Sequence, residues 1–577
     1  ELHERREHRI LGPNHSEGNR SGGGAIAARN SAVVQRLTGA AKWGAGAAQP
    51  GRCPVNRARK RVALVFAGLA LVMLCAACGG GGGGISGTPA PTPTPGPYSA
   101  ASLNGSYAFT MTGQDSGGFF ARVGSFSANG AGAITGGVED VNSATIPGAA
   151  TLQFTSGTYS ISSNGKGTLS LTNQTGTLQF TIVMSSSTGG LITQVDGTAS
   201  ASGNFSVQTP ASFSVANINT SYVFDFSGQD PNGIPESIVG QFTGNGGGGG
   251  SGILDDNDGA SASGVQNFST ASFAMDPTYG TSFGRGIATI DGISMVFYIV
   301  NGNRIRFMEN NFPSLVVGDA VAQSGTIPTT AAGLTGNFVF LMAGASTSGS
   351  DVRGGRVTLT SGAVSNIQMD DNASSNSGSG NSNAFQIPDG TISAASYTID
   401  GTVPGTGRGT LTFTDSKLGT YSFIFYLISP TQAVIQDNSP GIVSDGSMQA
   451  QVAGPFPTSG AAGNWAFSFV GQSVNSTTGG FGEEDYLGQY TQTSSASISG
   501  GVDFTELSAP AVATNLAITG SMTVQADGTG RNGYAIKVNA SPSSTLNFSA
   551  YFIDANTFLV VGTDTHRTIT GTVIRNF

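Results

Sequence analysis

Four short stretches of the chain alternate aromatic or apolar residues with small or polar ones and close on a glycine. They read LNGSYAFTMTGQ from Leu103, INTSYVFDFSGQ from Ile218, LTGNFVFLMAG from Leu334 and AAGNWAFSFVGQ from Ala461. The apolar positions are Tyr107, Phe109 and Met111; Tyr222, Phe224 and Phe226; Phe338, Phe340 and Met342; Trp465, Phe467 and Phe469. A period of two over a short run predicts a half-buried strand. The starts lie 115, 116 and 127 residues apart, so the strand opens a unit that is repeated.

Further matches follow each start in the same order. A Gly-x-apolar strand comes second (Gly124 with Phe126, Gly240 with Phe242, Gly355 with Val357, Gly488 with Tyr490). Later a basic residue stands among glycines, as GKG from Gly165, GRG from Gly284 and Gly407, and GRNG from Gly530. A late strand is apolar on both faces: MVFYIV from Met295, FIFYLI from Phe423, AYFI from Ala550. Each copy is long enough to close its own core, unlike the short units that stack into solenoids. Hairpin signals such as Asn129-Gly130 and Asp527-Gly528 punctuate the runs, and no long amphipathic helical stretch appears.

The expectation is therefore an all-β chain of four tandem antiparallel domains, at 99–209, 210–327, 328–455 and 456–577. About eight strands per copy with short connections favour an up-and-down barrel, which removes exposed edges. The doubly apolar late strand favours a sandwich as the alternative, or barrels packed on one another.

The region before the repeats has a different character. A basic stretch (Arg57, Arg59, Lys60, Arg61) precedes the apolar run Val62 to Ala77, and small Ala76 and Ala77 precede Cys78. The run is short for a transmembrane helix, which needs ~20 apolar residues, and has the layout of a secretory signal. It resembles the lipobox of bacterial lipoproteins, although Cys75 stands where leucine is usual. The resemblance implies a lipid on Cys78, and Gly79 after it resembles the outer-membrane sorting pattern. Residues 1–54 then read as a disordered extension, with the true start expected near Val55. Residues 55–77 read as the signal peptide, and 78–98 as the lipidated cysteine with a Gly/Thr/Pro stalk.

Charge follows the same division. Of 25 Lys and Arg and 34 Asp and Glu, residues 1–78 hold 12 and 4, leaving 13 basic against 30 acidic residues, a net charge of −17. An acidic export product has no electrostatic footprint for nucleic acid. No cysteine follows Cys78, which excludes disulfides and cysteine zinc sites from the repeats.

The repeats themselves, on "LNGSYAF...GQD", "GSFSANGAGAITGGVEDVN" and "GTYSISSNGKGTLSL", resemble a Gly/Ser/Thr-rich domain of bacterial surface lipoproteins. The resemblance spans nearly all of 99–577 and implies no particular activity.

Candidate chemistry is sparse. The third strand of each copy ends in carboxylates: Glu139 and Asp140; Asp255, Asp256 and Asp258; Asp370 and Asp371; Asp503 and Glu506. Clustered carboxylates suit calcium, although the spacing of a calcium loop is absent; solvated charge that blunts edge pairing is the plainer reading. Glycoside hydrolysis needs two carboxylates flanking one bond, and neighbours on a strand face opposite ways. Lys166, Arg285, Arg408 and Arg531 are either ligand contacts or solvated turn charges paired with the acidic strand ends. His566 near Asp564 is the one histidine after the signal, and it reads as structural or exposed.

The sequence thus points to a non-catalytic lipoprotein of the cell envelope, at the outer membrane or cell surface, with structural or adhesive repeats. Its expected partners are the membrane, through the lipid, and cell-wall or glycan surfaces. No cofactor is expected apart from the lipid, with calcium as the weaker candidate. The alternative is a binder of small ligands or glycans inside avidin-like or lipocalin-like barrels.

Overall fold

The computed structural model describes residues 98–576 apart from 144–145, 260–261, 312–313, 348, 375–381, 404, 453, 455, 457–460, 475–480, 508–510 and 541–542. The proposed start, the signal, Cys78 and the stalk up to residue 97 lie outside the described residues. Among the described residues no helix is long and apolar enough to cross a membrane.

Each copy closes on itself. In the first, strand Asn104–Asp115 pairs with Gly118–Asn129 on one side and with Ala199–Val207 on the other. In the second, Ser221–Gln229 lies between Pro235–Gly244 and Leu315–Ala322. The third joins Gly336–Ser346 to Gly349–Thr360 and Ile442–Ala450, and the fourth joins Gly463–Val474 to Phe481–Ser494 and Arg567–Arg575. The strands run as an antiparallel meander, so these are four closed eight-stranded barrels and not sandwiches.

The barrels are of two alternating kinds. In copies one and three the fourth strand is broken, into Ile146–Phe154 and Ser156–Ile161, and into Ser382–Ile387 and Ile392–Ile399. In copies two and four it is a single bulged strand, Ala262–Met275 or Ala511–Val524.

The alternating aromatics face inward and fill the barrels. Phe224 stacks on Phe226 at 4.7 Å between ring centres, and Phe467 on Phe469 at 4.5 Å. The glycine of the second strand makes room for them. A Cβ on Gly124 would lie 2.7 Å from the Phe109 ring, and one on Gly488 2.4 Å from Phe467. The Gly-x-apolar repeat is thus the cross-strand partner of the first-strand aromatic.

The late strand is apolar on both faces because it serves two cores. Phe297 and Ile299 point into barrel two, whereas Val296, Tyr298 and Val300 pack with Phe119, Val123 and Val138 of barrel one. Barrel three offers Ile424, Tyr426 and Ile428 to Val223, Val239 and Ile253 of barrel two. Barrel four offers Tyr551, Ile553 and Val561 to Val339 and Val352 of barrel three. Barrel one in turn sets Val183 and Leu191 against Ala466 and Leu487 of barrel four. The copies are therefore not independent beads. Four head-to-tail junctions close into a ring, the way heterologous contacts close when the rotation allows.

Candidate functional site

The candidate residues converge on those junctions. Arg285 of barrel two donates to both carboxylate oxygens of Asp140 in barrel one, Nε to Oδ2 and Nη2 to Oδ1, each at 2.8 Å. Arg408 of barrel three does the same to Asp255 of barrel two at 2.7 and 2.8 Å. Arg531 of barrel four meets Asp370 of barrel three at 3.0 and 2.7 Å. Lys166 of barrel one completes the circuit on Asp503 of barrel four, at 2.6 Å.

Each basic residue opens a strand directly after a glycine with positive φ: Gly165 at 87°, Gly284 at 70°, Gly407 at 74° and Gly530 at 82°. That conformation favours glycine, and the crowding demands it too. The linker aromatics Tyr98, Phe213 and Phe456 come within 2.8, 2.7 and 2.9 Å of where a Cβ would stand on Gly165, Gly284 and Gly530. The short motif therefore seats the incoming linker and aims the cation across the junction.

The expectation of solvated turn charges is corrected by burial. The side chains of Lys166, Arg285, Arg408 and Arg531 are only 19, 7, 11 and 14% exposed. Burial works to lower the Arg285 pKa, but the hydrogen bonds and charge of Asp140 outweigh it and raise the group above its ordinary value. The same balance raises Arg408 and Arg531.

Three companions escaped the sequence reading. A tyrosine cross-strand from each arginine donates to the same aspartate: Tyr298 to Asp140 and Tyr426 to Asp255, at 2.6 and 2.7 Å, and Tyr551 to Asp370. An asparagine two residues after each aspartate donates to backbone carbonyls of the next barrel. Asn142 reaches Glu309, Asn257 reaches Asp437, and Asn372 reaches Gly562. A glutamine after the last strand bridges forward as well: Gln208 to Ile299, Gln323 to Leu427, Gln451 to Phe552. Both the Asp-x-Asn spacing and the recurring terminal glutamine were visible signals.

The junction of barrels four and one departs from this pattern. Lysine replaces arginine, and Val183 stands cross-strand from it where the other copies have tyrosine. Thr181 donates to Asp503 at 2.6 Å. Ser200 and Ser202 both donate to buried Asp485, whose pKa burial pushes up to about 6 against the pull of those two bonds. Asn576 takes the place of the glutamine and donates to the Asn164 carbonyl.

In the first three copies the neighbouring acidic residue turns the other way. Glu139 points into barrel one, where Arg122 donates to it at 3.2 Å and Asn173 at 2.8 Å. Asp371 points into barrel three beside Arg353, which also binds Asp351 and Asp437. Asp256, opposite core residue Ile238, faces inward too. The paired carboxylates named as calcium candidates are therefore split between a barrel interior and a junction. Among the described residues no group of three or more His, Cys, Asp or Glu is placed to hold a metal. His566 is exposed, and Asp564 accepts from Asn547.

A space for a ligand lies between the barrels. A cavity of about 920 Å³ at the centre of the ring is lined by residues of all four copies. On its wall Arg304 donates to Asp319 at 2.8 Å. Neighbouring Arg306 is fully buried across the first junction, held by Thr110 at 2.9 Å and Asn204 at 2.7 Å. Burial pushes Arg306 down to about 10, against the pull of Asp319. Asp225 and Asp445 face each other across the second junction and hydrogen-bond, and burial raises both.

No family model matches the chain, and no curated protein matches it. Among solved structures it is similar to transferrin binding protein B of Haemophilus parasuis Hp5, at 10% identity and a TM-score of 0.17, covering 67% of this chain and 82% of that one. It is likewise similar to isotype 1 transferrin binding protein B of serogroup B Neisseria meningitidis, at 9% identity and a TM-score of 0.18, covering 65% and 79%. TM-scores this low carry no argument about fold or function.

Proposed function

We propose that this chain is an exported, lipid-anchored surface protein without catalytic activity, whose four barrels act as one rigid adhesive or structural ring. One observation carries the reading. The residues that recur most regularly as candidate chemistry, one acid and one base per copy, are spent on holding the next copy in place. A use of that kind, repeated from copy to copy, serves assembly. Cys78 is the attachment point, the Gly/Thr/Pro stalk holds the ring off the membrane, and the partners are cell-wall or glycan surfaces. An acidic body is repelled by anionic lipid, so attachment rests on the acyl chains.

The test is fractionation and fatty-acid labelling of the full chain beside Cys78→Ala. The unchanged protein should take up label and sediment with membranes, and the variant should do neither. Label retained by the variant overturns the anchor. A hydrolase activity abolished by a single carboxylate substitution overturns the non-catalytic part.

A further inference from the structure

The central cavity has walls that select a ligand class. Most of its charged groups are held by other groups of the protein. Arg304 is paired with Asp319, and Arg306 is held by neutral oxygens of barrel one, including Ser206 at 3.1 Å. Asp225 and Asp445 answer each other, and Arg575 lies 5.0 Å over the Trp465 ring while donating to the Ala462 carbonyl. Most of the remaining polar wall is hydroxyl and amide.

Barrels one and three reach the cavity through hairpins of one design. Ser186 Oγ and Thr188 Oγ1 lie 3.1 Å apart, and so do Ser429 Oγ and Thr431 Oγ1. A hydroxyl pair of this kind exchanges donor and acceptor roles freely. Barrel four adds Thr570 and Thr572 from its last strand.

We propose that this cavity binds a neutral, polyhydroxylated ligand: the end or a short stretch of an oligosaccharide. An apolar ligand would strip water from the hydrogen-bonding capacity these hydroxyls have left over from one another, at up to ~1–3 kcal/mol for each group so stranded. An ion would enter a wall carrying both signs of charge, most of it already held by other groups of the protein, which leaves little to offset its desolvation. Neutral hydroxyls replace the lost water bond for bond. The volume lies within the range of ordinary small-molecule sites, ~300–1,000 Å³. Because all four copies line it, the site exists only in the closed ring. It rests on the glycan partner of the proposed function, to which it gives a place, and does not depend on Cys78.

Calorimetric titration of the full-length protein in detergent tests it, with maltotetraose and N-acetylchitotetraose as the neutral probes. Decanoate, pyrophosphate and spermidine are the apolar, anionic and cationic probes. Thr572→Phe puts a bulky apolar ring on the cavity wall, and Thr572→Val removes one hydroxyl at nearly constant volume. The expected result is saturable binding of at least one tetrasaccharide, weakened by about tenfold or more in Thr572→Phe and by less in Thr572→Val. Unchanged melting of both variants would show that the ring is intact. Should Thr572→Phe fail to fold, the loss in Thr572→Val decides. Binding of neither tetrasaccharide, equal binding by the folded variants, or preference for a charged or apolar probe overturns the proposal.

Discussion

Asp140 in the first barrel and Arg285 in the second are 145 residues apart in sequence, yet they form a two-pronged ion pair with almost no exposure to solvent. Tyr298 and Thr151 add to it, one donating to each oxygen of Asp140, so its carboxylate is held on both sides. The same arrangement of Asp, Arg and Tyr recurs at the next two junctions, which makes it the unit from which the ring is assembled.

Removing one partner of such a pair should cost more than removing both. Arg285→Met leaves a buried carboxylate unpaired, and the expected loss is ~3–5 kcal/mol. Arg285→Met with Asp140→Leu should recover much of that, because a buried pair exchanged for apolar groups of similar size is often neutral. Urea unfolding of the two single variants and the double variant measures the coupling. A double variant no more stable than the worse single one would show that the tyrosine, the threonine and Asp276, which also pairs with Arg285, dominate the junction once left behind.

The junction between barrels four and one should open first. Its apolar cluster is Val183, Leu191, Ala466 and Leu487, whereas the first junction buries Phe119, Tyr298 and Met308 besides several valines. With each large buried side chain contributing ~1.5–3 kcal/mol, the difference favours fraying at the seam. Amide hydrogen exchange should therefore be faster in Ala466 and Leu487 than in Val339 and Val352, which face the third junction. Val183→Tyr with Lys166→Arg should slow it, by restoring the groups the other copies use. Equal protection at all four junctions would remove the seam.

Much of this was legible because a barrel imposes a period of two and a repeat shows it four times. The strands, their order and the inward aromatics all follow from alternation. The glycines at 124, 240, 355 and 488 were visible as a motif, although their reason lies in the ring of the facing strand. The ring was harder to see. Asp140 and Arg285 each looked like a local strand-end charge, because sequence period reports which face a residue is on and not what lies against that face. The clue was the late strand, apolar on both sides, which already required a second partner. The central cavity left no trace at all, since its hydroxyls are ordinary serines and threonines scattered over hairpins and strands of all four copies.

A single copy should fold and then seek its neighbour. Residues 99–209 contain every strand of the first barrel, so the piece should melt cooperatively alone. Its outer Phe119, Val123 and Val138 would be uncovered, together with Asp140. Mixed with residues 210–327, it should form a 1:1 complex by analytical ultracentrifugation, and Asp140→Ala should abolish it. Two pieces that stay apart at high concentration would mean that the linker, and not the junction, holds the barrels together.

The ring should be more stable in mild acid than at neutral pH. Burial pushes the Asp351 carboxyl up to about 7 from an ordinary 3.8, although Arg353 pulls it back. Asp485 at the seam is pushed up to about 6 in the same way. Between these values and 3.8 each group is protonated in the folded protein and ionised in the unfolded chain. The folded state thus binds more protons, and stability falls as pH rises through that window. Their contribution is fully present below about 4 and gone above about 7. Asp415 has the opposite sign: backbone N–H groups, Gly390 first, lower its pKa, so its contribution is lost as pH falls below 3.8. The melting temperature should peak near pH 4–5 and decline toward pH 8. Asp351→Asn should flatten the upper part of that decline, because Arg353 keeps Asp371 and Asp437 as partners. A melting temperature that climbs steadily from pH 5 to pH 8, in either protein, would show that the buried carboxylates are held ionised.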